Sequence, residues 1–243
     1  MTIFLAELFG TFLLLLLGNG VVANALLSQS KGEKGGWIVI TAGWGFAVAI
    51  GVYAVGWVSG GHLNPAVTLS LALIKLTPWP LVPLYIGGQI IGSMLGALFV
   101  WLSYYPHWAV TQEADMKLLC FCTKPAIRKL KWNFLNEIIG TAALLIGVLA
   151  IFNAHNGIGS GVGPYAVGIL IFSIGLSLGG PTGFAINPAR DLGPRLMHQW
   201  LPIAGKRDSD WSYAWVPILG PLIGGPLGAF LYHWLISPLT PLL

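Results

Sequence analysis

Two copies of Asn-Pro-Ala, at residues 64–66 and 187–189, are the chemically most pointed feature of this sequence, and the second runs directly into Arg190 and Asp191. Asn is a preferred helix N-cap, and Pro is favoured at the first helical position, where its missing N–H costs nothing. Asn64-Pro65-Ala66 and Asn187-Pro188-Ala189 therefore each read as a helix start. If the two starts face each other, the positive ends of two helix dipoles converge, and the Asn64 and Asn187 amides present donors at one point. The backbone before each start, at Gly60, Gly61 and His62 and at Gly183, Phe184 and Ala185, would supply unpaired carbonyls as acceptors. Such an array exchanges hydrogen bonds with neutral solutes and repels cations. The sequence carries no catalytic constellation. His62, His107, His155, His198 and His233 fall in different elements, and neither a Ser-containing elbow nor a phosphate loop is present. No catalytic residue, metal or cofactor is expected. Cys120 and Cys122, one residue apart in a polar connection, suit neither a zinc framework nor a disulfide between elements, and are given no role.

The elements that must hold these residues are membrane elements. With 56% hydrophobic and 8% charged residues and a mean hydropathy of +0.78, the chain reads as a membrane protein. A crossing helix needs about 20 apolar residues. Apolar runs bounded by polar, Gly or Pro clusters predict spans near 3–27, 37–58, 82–104, 133–152, 163–179 and 212–236. The shorter pieces near 64–76 and 187–201 reach only about two thirds of the way across at roughly 1.5 Å per residue, and read as half-helices. The first run is read as a retained span rather than a secretory signal, because no basic residue precedes it and Glu7 sits inside it. Trp37, Trp57, Trp79, Trp101, Tyr104, Trp132, Trp211 and Trp234 fall near span ends, as an interfacial belt would. Trp44 lies seven residues into its span from Trp37, roughly 10 Å deeper and too far in for a belt. The net charge of +4 comes from loops without a nucleic-acid motif, so no nucleic-acid partner is expected.

An internal repeat organises these spans. Glu-x-x-Gly-Thr occurs at Glu7 and at Glu137, an offset of 137 − 7 = 130, and the two Asn-Pro-Ala copies are offset by 187 − 64 = 123. Gly88, Gly92 and Gly96 match Gly220, Gly224 and Gly228 at an offset of 220 − 88 = 132. Each unit holds three spans and one half-helix, and an odd number of crossings turns the second unit upside down relative to the first. The expected fold class is an all-α membrane protein with six transmembrane helices plus two re-entrant half-helices in an inverted 3+3 repeat. It forms one channel domain over 1–243, with repeat 1 at about 1–110, a connection at about 105–131 and repeat 2 at about 132–243. The glycine ladders are read as packing faces. The intramembrane acids Glu7 and Glu137 are either proton carriers or carboxylates accepting hydrogen bonds from irregular backbone beside a half-helix; their symmetric recurrence favours the second role.

At these residues the chain resembles the aquaporin superfamily: Ser-Gly-Gly-His-Leu-Asn-Pro-Ala-Val-Thr at 59–68, Gly-Phe-Ala-Ile-Asn-Pro-Ala-Arg-Asp at 183–191, and the repeated Glu-x-x-Gly-Thr. The resemblance runs from the first span to the sixth. It implies a pore in every subunit, a homotetramer in the lipid bilayer of a bacterial plasma membrane, and cytoplasmic termini. It also implies a selectivity filter at Trp44, Gly175, Phe184 and Arg190, a set similar to that of the glycerol-conducting branch; Asp191, Pro217 and Ile218 resemble that branch too. Asp191 is also read as a plain salt bridge or a helix-start carboxylate. The physics fits a polyol, which has one edge of hydroxyls and one of C–H groups. Trp44 and Phe184 would face the carbons, while Arg190 and the carbonyls take over hydrogen bonds whose loss costs roughly 2–7 kcal/mol. Glycerol, water and related small neutral solutes are thus the expected partners. The alternatives are a water-dominant channel, a broad channel for urea, peroxide or protonated lactic acid, and a proton-coupled transporter. Of twelve Lys and Arg residues, only Lys75 lies on the side the resemblance makes cytoplasmic, against the positive-inside rule. The 105–131 connection, with Lys117, Lys124, Arg128, Lys129 and Lys131, is read as a solvated loop.

Overall fold

The computed structural model describes residues 1–236. Residues 237–243 of the second expected repeat lie outside the described residues. The chain folds into α1 (Thr2–Leu26), α2 (Gly36–Ser59), α3 (Pro65–Leu73), α4 (Val82–Ser103), α5 (His107–Val110), α6 (Ala114–Leu119), α7 (Leu130–Ile151), α8 (Val162–Leu178), α9 (Pro188–Trp200) and α10 (Trp211–Leu235), with no strand among the described residues. Five of these, α1, α2, α4, α7 and α10, are long and apolar enough to cross a membrane, α4 together with the 3₁₀ turn before it. The sixth span, α8, is an apolar helix of 17 residues and at about 1.5 Å per residue falls only slightly short of the roughly 30 Å hydrocarbon core. The half-helices α3 and α9 have 9 and 13 residues, each with Asn as N-cap and Pro at its first position.

Lipid supplies no hydrophobic drive between helices, so close backbone approach must hold the bundle. In each repeat the first helix packs on the third, α1 on α4 and α7 on α10, through the glycine ladders. A Cβ placed on Gly96 would sit 2.6 Å from the Leu15 Cβ, and one on Gly220 would sit 2.7 Å from the Glu137 Cβ. The two repeats join where α2 crosses α8, and there a Cβ on either Gly45 or Gly168 would lie 2.7 Å from the other's carbonyl oxygen. The half-helices are exchanged: α3 packs against α10, and α9 against α4.

The connection from α4 to α7 departs from the solvated loop expected of it. It contains α5 and α6 and buries Trp108, Lys117, Leu118, Cys120, Phe121, Cys122 and Thr123. The Lys117 ammonium donates to the Ala204 carbonyl, while Lys124 and Arg207, from two different loops, converge on Asp115. These contacts hold Asp115 below the usual carboxylate range. The two cysteines are buried free thiols, and burial pushes Cys122 up to about 12. The segment conceals its fold from sequence because its apolar residues follow no helical period. Its hydrogen bonds run instead to the distant 201–210 segment, to α1 and to Ser28 just beyond it.

Candidate functional site

The backbone before each half-helix is built to one plan. Gly60 and Gly183 have φ of 83° and 84°, Gly61 and Phe184 have 62° and 40°, and Leu63 and Ile186 have 53° and 42°, so the left-handed positions recur at the 123-residue offset. For non-glycine residues this region costs roughly 1–2 kcal/mol each, and the carboxylates compensate. Glu7 accepts from Ser59 Oγ at 2.5 Å, His62 N at 3.1 Å, Leu63 N at 2.8 Å and Gln89 Nε2 at 2.7 Å. Glu137 accepts from Thr182 Oγ1 at 2.7 Å, Ala185 N at 3.0 Å and Ile186 N at 2.8 Å. Each acid thus satisfies the two amides that turn away from the helix start, which leaves the neighbouring carbonyls free to face elsewhere.

The two starts meet. Asn64 Oδ1 caps the Ala66 N–H at 2.9 Å, and its Nδ2 donates across to the Ile186 carbonyl at 2.8 Å. Reciprocally, Asn187 Oδ1 caps Ala189 N at 3.0 Å and Arg190 N at 3.2 Å, while its Nδ2 donates to the Leu63 carbonyl at 2.8 Å. One proton of each amide is spent on this cross-link, which joins the half-helices of the two repeats; the other remains for the cavity.

That cavity, about 460 Å³, runs from Trp44, Phe184 and Arg190 past both asparagines to Leu76, Thr77, Phe152 and Pro164. Gly60, Gly61, His62, Phe184 and Ala185 line it, whereas Gly183 does not and sits behind, against Thr123. Much of the remaining lining is apolar, with Val48, Val52, Val67, Leu71, Val148 and Ile171. The His62 ring is stacked on Tyr85, with centroids 4.3 Å apart, and its Nδ1 is 3.1 Å from Thr68 Oγ1. At the Trp44 end the Arg190 guanidinium lies 4.1 Å over the Trp44 ring. Arg190 Nη1 is buried with no partner among the described residues. Trp44 itself fits because Gly18 of α1 has no side chain where its ring lies. Gly175 is beside the cavity, and a Cβ there would come within 3.0 Å of Phe184 Cζ and 2.8 Å of Thr41 Cγ2.

The remaining candidates stand away from the cavity. Asp191 is fully buried and accepts from Thr123 N at 2.8 Å, Thr123 Oγ1 at 2.6 Å and Arg195 Nε at 2.8 Å. Arg195 then reaches the carbonyls of Thr123, Ser209 and Asp210. Pro217 and Ile218 lie in α10, outside the cavity lining. Sequence reasoning missed Thr123, which carries no local signal, and Arg195, whose place four residues after Asp191 on one helix is a legible one. It also missed Trp37, placed in the interfacial belt, whose indole N–H bonds Gly175 O at 2.9 Å. Trp37, Thr41 and Trp44 share one face of α2 by their spacing of four and three, a legible signal.

Residues 1–232 match the major intrinsic protein family. The chain is 61% identical to a probable glycerol uptake facilitator protein of Thermotoga maritima over 97% of this chain and 100% of that protein. It is 55% identical to glycerol uptake facilitator protein 3 of Lactiplantibacillus plantarum, over 94% of this chain and 95% of that one. Among solved structures it is similar to the X-ray structure of the aquaglyceroporin from Plasmodium falciparum, with a TM-score of 0.88 and 32% identity over 97% of this chain and 96% of the other. A matched family covering almost the whole chain, on a fold with two half-helices meeting at paired Asn-Pro-Ala starts, makes the assignment: the chain belongs to the major intrinsic protein family.

Proposed function

We propose that the protein is a passive channel for glycerol and related small neutral solutes, water included, and that it excludes ions. The observation that carries this reading is the composition of the cavity's Trp44 end, where two aromatic rings, Trp44 and Phe184, line the cavity with the Arg190 guanidinium. A polyol slides its carbons along the aromatics and offers its hydroxyls to Arg190, whose Nη1 lacks an acceptor among the described residues. Trp44, Gly175, Phe184 and Arg190 act in this reading as the selectivity filter, and the asparagine pair as the second constriction. An ion stripped of water would face a desolvation cost on the order of tens of kcal/mol by an idealised estimate, and a cation would also meet Arg190 and two helix N-termini.

The cavity is complete within one chain, which supports a pore in each subunit of a homotetramer. Bacterial relatives support a plasma-membrane location, and the family's topology would place both termini in the cytoplasm. Both membrane acids are occupied by backbone amides and hydroxyls, which speaks for the structural role over a proton carrier. Stopped-flow light scattering on proteoliposomes tests the proposal: glycerol permeability should rise well above that of empty liposomes. Fast water flux with no glycerol influx would sink the filter assignment.

A further inference from the structure

The end of α8 is closed by side chains instead of backbone. Its last residue is Leu178, and Gly179, at φ −77° and ψ −23°, makes no capping bond of its own. The Gly175 carbonyl, which another helical turn would have used, accepts instead from Trp37 Nε1 at 2.9 Å, and the Leu178 carbonyl accepts from Asn136 Nδ2 at 3.2 Å. Helix ends leave orphan carbonyls that must find partners, and here a tryptophan from α2 supplies one at the very residue against which the Phe184 ring packs.

The same indole seats the facing aromatic. Trp37 meets the Phe184 ring edge-on, with centroids 5.8 Å apart and planes at 81°. Phe184 has φ of 40°, a conformation that L residues rarely adopt, so packing must hold its ring in place. That packing is tight. A Cβ on Gly179 would lie 2.6 Å from Phe184 Cδ1 and 2.8 Å from Trp37 Cζ2, and one on Gly175 would lie 3.0 Å from Phe184 Cζ. Trp37 therefore touches two of the four filter positions without lining the cavity itself.

We propose that Trp37 is a positioning residue that sets the width of the filter, and with it the largest solute admitted, by capping α8 at Gly175 and backing Phe184. This rests on the channel reading above. Trp37→Phe keeps a ring against Phe184 and removes only the N–H; Trp37→Leu removes both. With either contact gone, the outer turn of α8 and the Phe184 ring gain room, and discrimination against larger polyols weakens.

The experiment measures glycerol and erythritol permeability in the same population of proteoliposomes, so that the fraction of folded protein cancels from their ratio. The glycerol-to-erythritol ratio should fall about three- to tenfold in Trp37→Phe, as loss of one hydrogen bond implies, and further in Trp37→Leu. Trp57→Phe, at the exposed opposite end of α2, should leave the ratio unchanged. A wild-type ratio in both Trp37 variants, even with a lowered thermal midpoint, would overturn the proposal and leave Trp37 a stabilising residue only. Wild-type protein without glycerol flux would overturn the channel reading instead.

Discussion

A hydrogen atom at position 175 matters because of what stands around it. Thr41, Phe184 and the Trp37 indole already surround the site, so a side chain there competes directly with the Phe184 ring. Gly175→His alone should therefore fold poorly, since overpacking a filled site typically costs about 1–3 kcal/mol. Adding Phe184→Cys should rescue it by returning the ring's volume. The double variant replaces an apolar wall by a hydrogen-bonding one and should lose glycerol permeability by about tenfold relative to water, equivalent to ~1.4 kcal/mol of added barrier. Paired flux measurements on the single and double variants check both claims. Equal loss of glycerol and water permeability in the double variant would mean these two positions do not discriminate between the solutes.

At the scale of elements, the half-helices depend on supports of unequal legibility. The paired Asn caps, the recurring glutamates and the glycine ladders could be read from sequence because each is a local pattern, and the duplication displays it twice. Even the left-handed backbone is foreshadowed by Gly60, Gly61 and Gly183. The support under α9 could be read only in part, since the sequence marks Asp191 as a salt-bridge carboxylate but not what the pair ties together. Asp191 and Arg195 form a buried pair at 2.7 Å, one helical turn apart, that ties Thr123 of the third connection to Ser209 and Asp210 before α10. Nothing near Thr123 in sequence announces an acid 68 residues away. The surrounding basic residues argue for a solvated loop, because the partners of Lys117 and Arg128 lie equally far along the chain. Breaking such a pair on one side strands a buried charge, at a cost of about 3–5 kcal/mol. Arg195→Met should therefore lower the thermal midpoint in detergent, and it should make the 111–129 segment, which loses the Arg195 bond to the Thr123 carbonyl, cleave faster under limited proteolysis. A variant with lowered stability but unchanged cleavage of that segment would show that the lock holds α10 and not the connection.

For the molecule as a whole, the distribution of charge reflects how its loops are built. Lys117, Lys124, Arg128, Arg195, Lys206 and Arg207 are all engaged by carbonyls or carboxylates, with Lys206 closing the end of α9 on the carbonyls of His198, Gln199 and Leu201. Cations at that position suit the negative end of a helix. The excess of basic residues in these connections is thus largely accounted for by folding contacts, which weakens it as a guide to orientation. The two acids inside the membrane are engaged in the same sense. Glu7 holds four donors and Glu137 three, and a carboxyl group that picked up a proton would have to give up acceptor capacity that buried backbone amides use. Each hydrogen bond to a charged group contributes about 1.5–3 kcal/mol. Proton uptake at either position would therefore unfasten a half-helix start, an unsuitable step for a transport cycle. The expected behaviour is equilibration only: proteoliposomes given an inside-alkaline gradient should reach the same final glycerol content as vesicles without one. Glu7→Gln should lower yield and thermal midpoint, because its amide N–H₂ would face the donors of Leu63 and Gln89, while folded protein still equilibrates glycerol. Accumulation of glycerol above the external level in wild type, lost in a Glu7→Gln protein of normal stability, would make the acid a proton carrier and the molecule a coupled transporter.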